Sequence, residues 1–350
     1  MAILLPQSDK KEIGHEYVSE DEHSIIGEMI EEMKMQLIQL YQNTRTLRQV
    51  HTKMHGCVKA AFTVLPGLSA ELKFGVFKEP LTYPAWIRFS NANTIVQHDR
   101  KKDIRGVAIK LMNVPGEKLL SNHQSEQTQD FLLMSNEIFF SKNIEQFRYV
   151  LRAATAKNKL KLISYFLNPL HWSLLKRLLA SNIPCKNPFE IPYWSTQPYR
   201  YGNESTAVKY FLKPSADNKL IIADTNDYNY LSINMAKTLA ANEIHFDFFI
   251  QFQTDADKMP VEDPTIAWAS PFIKVAEIKI FKQVFDTPEQ MEFADNLSFD
   301  IWHSLPEHRP LGSFNRARKQ AYVALSKFRH ERNHSPVFEP TAGPDFFETI

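Results

Sequence analysis

The sequence predicts an α+β fold in which one antiparallel sheet or barrel is wrapped by helices. Short alternating apolar runs bounded by turn residues occur both early and late in the chain, with helix-period segments between and after them. No internal repeat, low-complexity tract or linker divides the 350 residues. With 43% hydrophobic and 23% charged residues, 20 Pro and 10 Gly, the composition is that of a globular chain able to bury a large core.

Residues 1–20 are polar and aperiodic and read as a flexible arm. From Asp21, Ile26, Met29, Ile30, Met33, Leu37, Leu40 and Tyr41 recur at helical spacing, with acidic Asp21 and Glu22 near the positive N-terminal end. Between about 56 and 135 the runs GCVKAAFTVLPG, PAWIRFSNAN, DIRGVAIKLMNVPG and QDFLLMS read as strands separated by turns. Asn143 is a candidate N-cap for a helix through Phe147, Val150 and Leu151, and residues 157–182 read as two short helices broken at Asn168-Pro169. Strands return in AVKYFLKP, in EIHFDFFIQFQ with its alternating Ile244, Phe246, Phe248, Ile250 and Phe252, and in IKVAEIKIF. Thr287-Pro288-Glu289-Gln290 combines a hydroxyl cap, Pro at the first helical position and Gln three residues after the cap. A last helix starts near Ser313 and ends before Pro336.

Several function classes drop out. Forty-one basic against forty acidic residues leave a formal charge of +1, which argues against a nucleic-acid partner. The N-terminal apolar run is too short for an export signal and no stretch is apolar enough to span a membrane. Two cysteines, Cys57 and Cys185, are too few for a disulfide scaffold or a thiolate zinc site, which points to a reducing, cytoplasmic location.

Two segments carry chemistry. In the last helix Arg318 and Tyr322 are four apart and Arg329 lies seven beyond, so all three share one stripe. A phenol with an ordinary pKa of about 10 becomes a metal-binding phenolate only beside positive charge, which an arginine one turn away supplies. A half-buried tyrosine on an amphipathic helix would also fit. In RQVHTKMHGCVKAAF, His51 and His55 stand four apart, a spacing that can share a metal, but no Glu lies between them and no third ligand is evident. His330 and His334 repeat that spacing and read as solvated.

Five fragments occur in register. They are Arg48-Gln49-Val50-His51-Thr52-Lys53 with Gly56 and Phe62; Ile87-Arg88-Phe89-Ser90; Asp103-Ile104-Arg105-Gly106-Val107-Ala108-Ile109-Lys110; Asp130-Phe131-Leu132-Leu133 leading to Phe139; and Arg318, Tyr322 and Arg329. Together they resemble the haem catalases and their smaller catalase-like relatives over about residues 45–330. The resemblance implies an eight-stranded antiparallel β-barrel of catalase type with surrounding helices, forming one haem domain over 21–335 between the arm 1–20 and a tail 336–350. It implies haem b as cofactor, with Tyr322 as the iron ligand held as phenolate by Arg318. Arg48, Arg88 and Arg329 would pair with the propionates, Phe131 and Phe139 would pack near the macrocycle, and His51 would shuttle the peroxide proton.

The family's distal asparagine is replaced by Ser125-Glu126-Gln127-Thr128, leaving Gln127 as the candidate distal donor. The chain also lacks the longer segments of large catalases. Both departures favour a hydroperoxide-consuming peroxidase with weak catalase activity, acting on hydrogen peroxide or on organic or lipid hydroperoxides. The rivals are a fatty-acid hydroperoxide isomerase or lyase of the allene oxide synthase type, and a haem carrier or sensor without turnover. Between Gln146 and Phe189 no acidic residue occurs, while Arg148, Arg152, Lys157, Lys159, Lys161, Lys176, Arg177 and Lys186 stand among apolar residues. That segment, 146–189, could meet an anionic membrane or a fatty-acid carboxylate, or simply cover the barrel. A homo-oligomer is compatible with all of these readings.

Overall fold

The computed structural model describes residues 12–121, 123–155, 160–223 and 225–348. Nine strands form one antiparallel sheet: β1 (Lys53–Val64), β2 (Thr82–Asn91), β3 (Arg105–Met112), β4 (Thr128–Met134), β5 (Tyr193–Trp194), β6 (Tyr199–Tyr201), β7 (Asn203–Pro214), β8 (Ile244–Phe252) and β9 (Phe272–Ile280). Strand β9 pairs back onto β1, and the two residues of β5 join β4 to β7. Eight strands therefore close into a barrel, with β6 added on β7. Closure leaves no long unpaired edge, which removes the main hazard of an all-antiparallel sheet.

Alternation along each strand sends one set of side chains inward. Val58, Ala60, Phe62 and Val64 of β1, and Ala85, Ile87 and Phe89 of β2, join a fully buried core with Val107, Ile109, Phe131 and Phe248. Aromatic rings fill the lumen: Phe131 meets Tyr210 at 4.9 Å and Phe248 at 5.2 Å, and Phe62 meets Phe248 at 5.2 Å. The barrel is thus a packed core, each buried Phe contributing about 2–3 kcal/mol of apolar transfer. His308 sits inside it as a neutral imidazole. The Val76 N–H donates to its Nε2 at 3.1 Å, which leaves the ring proton on Nδ1, 3.2 Å from the Tyr210 hydroxyl.

Among the described residues seven α-helices surround the barrel: α1 (Glu22–Leu40), α2 (Ile144–Thr155), α3 (Leu160–Phe166), α4 (Trp172–Ser181), α5 (Tyr230–Ala241), α6 (Pro288–Asn296) and α7 (Ser313–Asn333). A second apolar cluster joins Ile26, Met29 and Met33 of α1 to Leu151 of α2, Leu174 of α4 and Phe314 of α7. The sequence cues hold where they are local. The Asn143 side chain accepts the Gln146 N–H at 3.0 Å, and Thr287 with Gln290 forms a reciprocal capping box.

Both ends of the described stretch are tied down. The Gly14 N–H donates to Gln253, and Glu16 accepts hydrogen bonds from Arg309, Arg316 and the Gly312 N–H. Residues 12–20 of the expected loose arm are therefore bound to the barrel and to the start of α7. In the tail, Glu339 accepts from the buried Lys110 ammonium at 2.7 Å, and Phe346 packs edge-on against Trp86 at 5.7 Å. No helix among the described residues is long and apolar enough to cross a membrane.

Candidate functional site

A largely apolar cavity of about 410 Å³ lies between the outer face of the barrel and the helical cluster of α1, α2, α4 and α7. Strand phase decides which barrel residues reach it. In β2, Ile87 and Phe89 point into the lumen, so Arg88 and Ser90 point out and line the cavity. In β3 the outward positions are Gly106 and Ala108, and in β4 they are Leu132 and Met134. Phe131 is in the opposite phase and sits inside the barrel, a correction to its expected place beside a macrocycle; Leu132 faces the cavity instead. Phe139 does line it, packed on Phe140 at 4.4 Å and Phe314 at 4.8 Å.

Helix α7 supplies the opposite chemistry. Phe314, Ala317 and Ala321 face the cavity together with Arg318, Tyr322 and Arg329, so small residues make room beside the tyrosine. The Tyr322 phenol is buried, and burial raises its pKa above the ordinary value, while the Arg318 charge acts to lower it and Asp300 adds to the rise. Arg318 is itself steered by a 3.1 Å hydrogen bond to Asn315 Oδ1, one turn back. A cation at the phenol oxygen is what would tip Tyr322 to phenolate.

Three more guanidinium groups line the same cavity, with one carboxylate, Asp295, at the edge of the set. Arg48 Nη1 lies 3.5 Å from Asp295 Oδ1, and Arg48 Nη2 donates to the Leu297 carbonyl at 2.6 Å. Arg329 Nη1 donates to the Asp295 carbonyl at 2.9 Å, and Arg88 Nη2 donates to the His51 carbonyl at 2.9 Å. Burial and then the Arg48 charge push both Arg88 and Arg329 down to about 9. The Arg88 Nε is buried with no hydrogen-bond partner. So much uncompensated positive charge against an apolar cavity is costly without an anion. The donor set fits a flat apolar group carrying two carboxylates and a metal for Tyr322, which is the chemistry of haem b.

His51 precedes β1 in a left-handed backbone conformation, φ +56°, fixed from both sides: its N–H donates to the Ala92 carbonyl at 3.2 Å and its carbonyl accepts from Arg88. The ring lies against Gly106, where a Cβ would come within 2.2 Å of His51 Cε1, so only glycine permits this pose. Nδ1 is 3.1 Å from Ser90 Oγ. Burial, reinforced by the Arg88, Arg318 and Arg48 charges, lowers the His51 pKa to about 3. The imidazole is neutral throughout the physiological range.

Among the expected site residues, the structure gathers Arg48, His51, Arg88, Phe139, Arg318, Tyr322 and Arg329 around one cavity. It does not bring Gln127 there. Gln127 is exposed at the start of β4, five residues from Leu132 or about 16 Å along the strand, with its carbonyl taken by the Val114 N–H. Of the amides that line the cavity, Gln49 Nε2 donates to Gln36 and Asn182 Nδ2 to the Leu178 carbonyl, while Asn93 accepts the Ile95 N–H through Oδ1. His55 turns away to Asn91 at 2.8 Å, so it shares no metal with His51. His330 is buried against Arg329 and Ser335 rather than solvated. Ser90 and Gly106 stood within quoted fragments without a role; only the barrel's outward phase reveals what they do.

Barrel, helical cap and buried arginine–tyrosine cavity together define a catalase-fold protein. A fungal catalase of known structure aligns over 95% of this chain and 68% of its own with a TM-score of 0.65 at 14% identity. Catalase A from Saccharomyces cerevisiae aligns over 97% of this chain and 74% of its own, also with a TM-score of 0.65, at 16% identity. No protein-family model and no curated protein sequence matches the chain. The chain thus has the catalase fold, at identities low enough that its chemistry must be argued from its own residues.

Proposed function

We propose that the protein is a haem-dependent oxidoreductase that consumes hydroperoxides. The observation that carries this is the convergence of Tyr322 with Arg318, three buried guanidinium groups and a neutral His51 on one apolar cavity. Haem b, when bound, supplies the redox iron that accepts an oxygen atom from a hydroperoxide. Tyr322 would hold the metal, with Arg318 favouring the phenolate. Arg48, Arg88 and Arg329 would hold the two carboxylates by charge-assisted hydrogen bonds. With Nδ1–H donating to Ser90 Oγ, the His51 Nε2 lone pair is available to take the hydroperoxide proton and return it to the departing oxygen. The apolar walls keep water from that exchange.

Two features support a peroxidase over an efficient catalase, and an organic hydroperoxide over hydrogen peroxide alone. Gln127, the expected distal donor, lies outside the cavity, and the amide groups of Gln49 and Asn182 are given to Gln36 and the Leu178 carbonyl, so none of these three supplies His51 with a second polar donor of the distal-asparagine kind. Met29, Met33, Ile104, Phe147 and Leu151 offer an acyl chain an apolar bed. Rearrangement to an epoxide, as in allene oxide synthases, would use the same groups and differs in product.

The deciding experiment is an absorption spectrum of the purified protein before and after hydrogen peroxide and then a fatty-acid hydroperoxide, with oxygen release and products followed alongside. A high-spin ferric haem that responds to peroxide and yields an alcohol with an oxidised donor is the expected result. A rearranged oxide would assign the isomerase instead. A protein that takes up no added haem would overturn the proposal.

A further inference from the structure

A second constellation lies outside the cavity, where α7 and the segment before β4 enclose a solvent-reaching cleft of about 550 Å³ lined by His123, Asp300, His303 and the far side of Tyr322. His123, Glu126 and His303 each offer a ligand atom there, all within 4.8 Å of one another. His123 Nδ1 is 2.5 Å from Glu126 Oε1, and His303 Nε2 is 3.8 Å from Glu126 Oε2. Donors around a tetrahedral zinc ion with bonds of about 2.0–2.1 Å stand roughly 3.3 Å apart, so these separations bracket the required value.

His303 provides the independent sign. Its side chain is 3% exposed, the Glu126 Oε2 that faces its Nε2 is a buried oxygen without a hydrogen-bond partner, and the ring leans on the His123 ring at 4.8 Å. Behind it, Asp130 Oδ2 and Glu339 Oε1 lie 3.6 Å and 3.4 Å from Nδ1. Carboxylates facing that nitrogen favour a proton on Nδ1 and leave Nε2 toward Glu126, the side from which an outer carboxylate orients a metal-bound imidazole. Asp130 and Glu339 share the one ammonium of Lys110, so with Glu126 the cluster holds more acidic than basic groups. The cleft gives an ion a way in and room for water in the fourth position.

We infer that His123, Glu126 and His303 form a binding site for a divalent transition-metal ion of the zinc class, outside the proposed haem cavity and walled off from it by Ser298, Tyr322 and Ser326. The test uses the full-length, haem-loaded protein, stripped with chelator and then titrated with zinc by equilibrium dialysis and calorimetry. One zinc per chain is expected, with affinity at least 10-fold weaker in His123→Ala and Glu126→Gln and at least 100-fold weaker in His303→Ala. The first two residues are partly exposed, so those variants keep the test valid if His303→Ala fails to fold; an unchanged haem spectrum serves as the folding check. Zinc should also raise the wild-type Tm and leave that of His123→Ala unmoved. Absence of stoichiometric zinc, retention in both His123→Ala and Glu126→Gln, or loss only in His334→Ala on the neighbouring helix would each overturn the assignment.

Discussion

A buried phenol keeps its proton, a buried guanidinium seeks an anion, and a buried imidazole stays neutral; the cavity holds all three. On the proposed haem reading, Tyr322→Phe removes the phenol that would hold the metal and should abolish tight haem uptake, read as loss or a shift of the Soret band. Arg88→Leu deletes a guanidinium with an unsatisfied Nε and should weaken haem affinity about tenfold or more in a titration of apoprotein, since a charge-assisted hydrogen bond is worth about 1.5–3 kcal/mol. His51→Ala should leave the haem spectrum in place while hydroperoxide turnover falls on the order of 10²–10⁴-fold. Undiminished turnover would remove His51 from the chemistry. These residues were legible in the sequence because Arg318, Tyr322 and Arg329 lie on one helix, where spacing alone places them on one side.

Elements explain what the sequence left illegible. On a strand the face changes at every residue, so an error of one position moves a side chain from cavity to lumen; that is how Phe131 came to be expected where Leu132 stands. No local pattern reveals which face of β4 is outward, because both faces are buried. Gln127 failed for another reason: its fragment was matched by position along the chain, and the loop before β4 leads away from the cavity. Helix α5 and the short β5, whose two residues close the barrel, carried no periodic signal long enough to read. At this scale Gly106→Ala is the sharpest test. A Cβ 2.2 Å from His51 Cε1 must move the ring off β3, so turnover should fall nearly as far as in His51→Ala while circular dichroism still reports the barrel.

For the whole molecule, acidity and surface are the two levers. Burial lowers His51 and His308 to about 3 and His55 to about 4, all below the unfolded value of 6.5. Between those limits the unfolded chain binds the extra protons, so stability is lost as pH falls below about 6.5. Asp300, raised by burial to about 6, opposes this with one proton bound in the folded state. Asp103 and Glu339, also raised by burial, act in the same direction as Asp300, while the large shifts of the three histidines set the overall sign. The urea midpoint should therefore drop steeply from pH 7 to pH 5, and a flat profile would contradict the buried neutral histidines. On the surface, Leu167 and Leu170 between α3 and α4, and Trp172 and Leu179 on α4, are 59–82% exposed, while Leu174 and Leu178 of the same α4 face the helical core. Of the basic residues in that segment, Arg148 and Arg152 are spent on Glu28 and Glu32 of α1, and Lys157, Lys159 and the side chain of Lys161 lie outside the described residues. Exposed Lys176 and Lys186 remain beside the apolar crest. Leu170→Asp with Trp172→Asp should reduce sedimentation with anionic vesicles while leaving hydrogen peroxide turnover unchanged. Equal sedimentation of wild type and variant would dismiss a membrane role for the crest.

The one-helix origin of Arg318, Tyr322 and Arg329 has a consequence for descent. Their mutual geometry is set by helical pitch, with Asn315 and the Arg316–Glu22 pair anchoring the first turns, and owes little to how any strand is decorated. Substitutions can therefore accumulate across barrel and loops, reshaping the chamber, while the Arg318–Tyr322–Arg329 triplet is inherited as a single cassette. A one-residue insertion inside α7 would turn the later members by about 100° and break the set at a stroke, whereas the same insertion in a surface loop would pass unnoticed.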